Sequence, residues 1–166
     1  MTEKGNNMSN VVFQTNRQKE HLEAALALTG SQGFMQDARA VAAYRKKEDG
    51  TDALAGVAVF ECFRAGRAEV HFGMKPGQML TNDILTAVIT IAFHPKAFNL
   101  ERMVARIPHW NVNALCNVLK IGFQFEYRDR FSVVGGEDGV VLSLDRDKLT
   151  STAAGSIIET DPDMKE

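Results

Sequence analysis

Two side chains able to move a proton, Glu69 and His71, stand two residues apart in the segment Ala68-Glu69-Val70-His71-Phe72-Gly73-Met74. In an extended chain residues i and i+2 share a face, so this spacing sets a carboxylate and an imidazole on one side while Val70, Phe72 and Met74 form the apolar side. Either polar group, held near an incoming amine, can take its proton directly or through water. The plainer reading is the solvated side of an amphipathic strand. The remaining histidines, His21, His94 and His109, fall on separate elements with no i, i+4 partner, so no metal site is expected. Cys62 and Cys116 are far apart and neither belongs to a C-x-x-C pair, which leaves disulfide frameworks and cysteine-based zinc sites without support. Cys116 reads as a small core residue, because nothing beside it in sequence would lower a thiol pKa. Trp110, next to His109, suits a pocket wall or a packing contact.

The elements that must position these groups follow from apolar periodicity. Val11 to Phe13 is a short extended piece, followed by an amphipathic helix with Asn16 as its cap, Leu22, Ala25, Leu26 and Leu28 on its apolar side, and Gly30 as its stop. Ala40 to Arg45 and Leu54 to Phe63 form a hairpin across Glu48-Asp49-Gly50, and Ala65-Gly66 turns the chain into Ala68 to Met74, so three antiparallel strands stand in a row. From Leu80 to Phe93 the apolar residues Ile84, Leu85, Val88, Ile89, Ala92 and Phe93 trace one helical face. Met103 to Ile107 is a strand and Asn113 to Leu119 a second helix ended by Gly122. Phe123 to Val134 and Val140 to Leu144 close the chain as a hairpin across Gly135 to Gly139. The expected buried set is Val57, Val59, Val70, Phe72, Ile84, Leu85, Val88, Ile89, Phe93, Val104, Leu115, Leu119 and Phe123.

The chain has 166 residues, 45% hydrophobic and 24% charged, the profile of one globular domain. Its formal net charge of -2 provides no bulk positive field, so neither nucleic acid nor an anionic membrane is an expected partner. The polar amino terminus has no signal-peptide apolar run and no stretch is long enough to span a bilayer, which points to a cytoplasmic protein. Residues 1–10 and 146–166 read as polar and acidic tails around a domain at 11–145, available for contacts in a homo-oligomer or larger assembly.

The order strand, helix, three-strand meander, helix, strand, helix, hairpin resembles the GNAT superfamily of acyl-CoA-dependent N-acyltransferases. Asn111, Ala114, Lys120, Gly122 and Phe123 match the spacing of its N-x-x-[SA]-x-x-x-x-x-K-x-G-F segment. Glu126 and Arg130 follow, and Ala68-Glu69-Val70 through Pro76 matches a strand ending in proline, both as in the ribosomal-protein-acetylating branch. The resemblance implies an α/β (α+β) fold, a mixed, mostly antiparallel twisted sheet with helices on both faces, in which Ala68 to Met74 lies beside Met103 to Ile107 and the two diverge at their carboxyl ends.

It further implies transfer of an acetyl group from acetyl-CoA to an amine, a protein amino terminus being one such acceptor. Met74, Gly77, Gln78, Met79, Leu80, Asn111 and Ala114 would hold acetyl-CoA, and Glu69 or His71 would serve as base. The pyrophosphate loop departs from the family's [QR]-x-x-G-x-[GA]: Gly77 takes the first glycine, Met79 replaces the second, and Met74 stands in place of Gln or Arg. The loop is also shorter by about three residues, leaving fewer backbone donors for phosphate. A tyrosine that many members use as general acid is Val118 here. The second expectation is therefore a degenerate GNAT scaffold acting as a structural or binding component, for example of a phage particle.

Overall fold

The computed structural model describes residues 10–133 and 135–151. Both tails lie outside the described residues except for Asn10 and 146–151. The elements are β1 (Val11–Gln14), α1 (Gln18–Thr29), β2 (Arg39–Lys46), β3 (Asp52–Arg64), β4 (Arg67–Met74), α2 (Asn82–Phe93), β5 (Arg102–Pro108), α3 (Val112–Ile121), β6 (Gln124–Val133) and β7 (Glu137–Asp145), then a 3-10 helix at Arg146–Ser151. The strands form one seven-stranded sheet in the order β1-β2-β3-β4-β5-β7-β6. All neighbours are antiparallel except β4 and β5, which run parallel because the whole α2 crossover separates them.

Alternate strand residues point to opposite faces, and each face has its own helix. Ala40, Ala42, Val57 and Val59 pack with Ala25 of α1. Their sequence neighbours Val41, Ala43, Ala58 and Phe60 pack with Ile84, Leu85, Val88, Ile89 and Phe93 of α2, and Val118 and Ile121 of α3 join that larger cluster. The expected mixed sheet with helices on both faces is the observed one.

Local departures from the expected pattern have definite causes. Arg17, in a left-handed conformation at φ 48, occupies the position before α1, so Asn16 is not its cap; the Asn16 carbonyl instead accepts from Nδ1 of buried His21. Helix α2 begins at Asn82, after Thr81 accepts a hydrogen bond from the Ile84 amide, which leaves Leu80 in the preceding loop. On α3 the inward stripe is Ala114, Leu115, Val118 and Ile121. The positions between them face out, so Leu119 is half exposed rather than core and Cys116 is exposed rather than a small core residue. Phe72 and Leu115 pack at the core margin, half-buried, while the other ten residues of the expected set are buried.

The closing turn is tighter than expected. Gly135 and Gly136, at φ 87 and 77, make the reversal, and Glu137, Asp138 and Gly139 already belong to β7. After β7, Arg146 ties the chain end to the body by donating to the Phe93 carbonyl at 2.6 Å, Asn99 Oδ1 at 2.9 Å and Glu101 Oε1 at 3.0 Å.

Candidate active site

The parallel ladder between β4 and β5 stops early. Pairing runs from Arg67↔Arg102 to Val70↔Ala105, yet β4 continues to Met74 and β5 to Pro108. Past Val70 the two strands separate, and the edge of β4 that faced β5 carries backbone groups that no strand pairs. Pro108 offers no amide there in any case. The space between them opens into a cavity of about 700 Å³. His71, Phe72 and Met74 line it from β4, Arg106, Ile107 and Pro108 from β5, and Asn111, Ala114 and Val118 from the start and middle of α3. Leu28 and Thr29 from α1, Phe34 from the loop after it, and Ser132 and Val133 from β6 complete the wall on the α1 side of the sheet.

Among the described residues His71 is the one histidine in this lining. Its buried Nε2 lies 2.9 Å from Glu61 Oε1 without hydrogen-bond alignment, a contact that is ionic only when the imidazole is protonated. Buried polar atoms without a hydrogen bond are rare in folded proteins. The partner carboxylate is fixed from its other oxygen, since Glu61 Oε2 accepts from the Met35 amide at 2.7 Å. The Phe34 ring stands 6.2 Å from the imidazole and tilted by 37°. The strand register places Glu61 there: Val59 pairs with His71 and Glu61 with Glu69, so Glu61 and His71 are diagonal neighbours on one face.

Glu69, the other candidate base, is engaged elsewhere. It lies outside the cavity lining, with Oε1 3.6 Å from Arg106 Nη2, while Arg106 Nη1 donates to Asp129 Oδ2. Burial works against the Arg106 charge, but the hydrogen bond to Asp129 and the two carboxylates outweigh it and hold the guanidinium above its ordinary pKa. Glu69 is thus set in an ion-pair network beside the cavity.

Of the residues expected to hold acetyl-CoA, Met74, Met79, Leu80, Asn111 and Ala114 line the cavity. Asn111 also caps α3, its Oδ1 accepting from the Ala114 amide at 3.2 Å, so the capping and lining roles coexist. Gly77 and Gln78 do not line it. Gly77 turns the loop at φ 79 in open space, and Gln78 accepts from Arg45 Nε at 2.8 Å. Met79 is 72% exposed, so its side chain borders the cavity without filling it. The gap beside the free edge of β4 is open, and the loop between β4 and α2 leaves open space beside Gly77.

Glu61, Phe34, Ser132 and Val133 were not among the expected site residues. The period-2 run Val57, Val59, Glu61 carried a usable signal for Glu61, because the Ala65-Gly66 turn sets it near Glu69. The register shift between Glu61 and Arg64, with Cys62 at φ 57, is what obscures that count.

This seven-stranded mixed sheet, whose fourth and fifth strands splay around a cavity bordered by the helix after the fifth, has the fold of solved N-acetyltransferase structures. No family model matches the sequence, and no curated protein matches it; the solved structures do. Spermidine/spermine N-acetyltransferase SpeG from Vibrio cholerae, solved with manganese ions, superposes with a TM-score of 0.69 at 12% identity, covering 86% of this chain and 96% of that one. A point mutant of the spermidine N-acetyltransferase SpeG gives 0.67 at 13% identity over 84% and 96%. A structure provisionally described as a phosphinothricin N-acetyltransferase gives 0.62 at 18% identity over 81% and 98%. None of these three is described as a ribosomal-protein acetyltransferase, the branch that the Asn111 to Arg130 segment resembles.

Among the described residues no helix is long and apolar enough to cross a membrane, and no three His, Cys, Asp or Glu side chains are grouped to hold a metal ion.

Proposed function

We propose that the chain is an acetyl-CoA-dependent N-acetyltransferase acting on an amine, with His71 as the base. The observation that carries this reading is the position of His71: in the gap where β4 leaves β5, with Nε2 turned to Glu61, which leaves Nδ1 as the nitrogen to take a proton. Acetyl-CoA supplies the activated acetyl thioester. The free edge of β4 and the walls given by Met74, Leu80 and Ala114 orient the arm, and Asn111 borders it at the start of α3. His71 takes the proton that the amine must lose, and Glu61 balances the positive charge the imidazole then carries. Val118 has no proton to give a departing sulfur, so the chain relies on holding the amine near the carbonyl, which alone removes much of the barrier.

Saturating acetyl-CoA at a hundredfold excess over Kd stabilises a native protein by about 2.7 kcal/mol. For a domain of this size that raises Tm by several degrees, at roughly 2–4 °C per kcal/mol. His71→Ala should keep the shift and lose turnover by about 10²–10⁴-fold. Absence of any shift in the native protein and in Met79→Gly, which restores the family's residue in the loop, would reject the acetyltransferase and leave the degenerate scaffold.

A further inference from the structure

The bulge of β3 leaves two backbone amides without a strand to pair them. Against β4 the register passes from Glu61↔Glu69 to Arg64↔Arg67, and on the other side β2 begins only at Arg39↔Phe60. Among the described residues Cys62 and Phe63 therefore have no register partner on either strand. Cys62 stands at φ 57, a left-handed conformation that side chains seldom adopt. Asp37, two residues before β2, takes up both amides: its Oδ1 accepts from Cys62 at 3.2 Å and its Oδ2 from Phe63 at 2.8 Å. Hydrogen bonds to an ionised acceptor are the stronger kind.

A second bond runs the opposite way. Glu61, the residue before the bulge, accepts the Met35 amide on Oε2 at 2.7 Å. The Ala38 amide closes a turn onto the Met35 carbonyl at 3.0 Å, and Asp37 lies inside that turn. The loop after α1 and the bulge of β3 thus hold each other through two carboxylates, one from each side. What they fix is the surroundings of His71: Glu61 Oε1 at its Nε2, and Phe34, one residue before Met35, beside its ring in the cavity wall. A carboxylate can only accept, so its place beside Nε2 favours the tautomer with the proton there and the lone pair on Nδ1. Asp37 does not itself line the cavity.

We infer that Asp37 is a positioning residue: by gripping the bulge from the loop between α1 and β2, it sets Glu61 and Phe34 against His71 and so selects the nitrogen that serves as base. The effect on rate rests on the function proposed above; the arrangement around His71 stands without it.

Nitrogen NMR of the imidazole in the full chain and acetylation kinetics test it together. In the native protein the neutral His71 ring should carry its proton mainly on Nε2. Asp37→Ala should move the His71 signals toward a mixture of tautomers and lower kcat by roughly tenfold, part of what a positioned base contributes, with the KM for acetyl-CoA unchanged. Asp37→Asn keeps one acceptor but turns an NH2 toward the other amide, so its effects should be of the same kind and smaller, and it carries the test should Asp37→Ala fail to fold. A native His71 with its proton mainly on Nδ1 overturns the inference. So does a folded variant whose His71 signals match the native ones, or one that is less stable but keeps the native kcat. A tautomer shift in the variants of a native protein that acetylates no amine would uphold the positioning and remove only the acetyltransferase reading.

Discussion

The His71 imidazole and the Glu61 carboxylate are useful to each other only while both keep their places, and the Met35 amide is what keeps Glu61 in its own. In the proposed reaction Glu61 is a positioning residue, since it touches His71 and does not line the cavity. Glu61→Gln retains an acceptor for the Met35 amide but loses the charge beside His71. The expected result is a kcat lower by roughly tenfold, about 1.4 kcal/mol of barrier, with the KM for acetyl-CoA unchanged. A change confined to KM would instead mean that Glu61 only supports the wall. Cys62, next in sequence, is pushed above the ordinary thiol pKa by burial and by the Glu61 and Glu69 carboxylates. Exposed Cys116 should therefore be alkylated first at neutral pH, as peptide mapping after brief iodoacetamide treatment would show. His71 was legible in the sequence because strand alternation alone sets it on the polar face. Glu69 met the same criterion, and what the alternation could not show was Arg106 arriving from β5 to engage it.

Among the elements, α2 and the β2-β3-β4 meander could be read almost directly, because their burial follows one simple period. The misreadings fall where one residue breaks the count: Arg17 at positive φ before α1, and the register shift after Glu61. Leu119 fails for another reason, since a ten-residue helix with one buried stripe leaves some of its apolar residues outside. The contact of α1 with β4 depends on Gly73. Gly73→Ala should push Leu28 and Thr29 away, costing about 1–3 kcal/mol of stability by denaturant titration and raising the KM for the amine. In the closing hairpin, the Phe131 amide and then Arg128 hold the Asp138 carboxyl below its ordinary pKa. A depressed pKa means that the native state resists protonation, so this contribution is present above the unfolded value, near 3.9, and is lost as pH falls through the folded one. The stability of Asp138→Asn should consequently fall less between pH 5 and pH 2 than that of the native protein, measured by thermal denaturation.

At the scale of the whole molecule, the strand order β5-β7-β6 puts the last strand of the sheet inside it, with the preceding strand at the edge. Sequence patterning predicted a closing hairpin but not which of its strands would be central. The burial patterns separate them, since β7 has five buried residues and β6 none. Edge strand β6 exposes Phe125, Tyr127 and Phe131, and two register shifts against β7 interrupt its regularity. The central place of β7 also bears on how the protein is made. A nascent chain that has emerged only as far as β6 already contains His71, Glu61 and the complete α2 crossover. It still lacks the partner that pairs with β5 from Arg102 to Pro108, and the Gly139 backbone against which Arg106 packs. During synthesis the β5 side of the cavity is thus among the last parts to form, and a premature stop before Glu137 should yield a chain in which that side is not held in place, because β7 is missing.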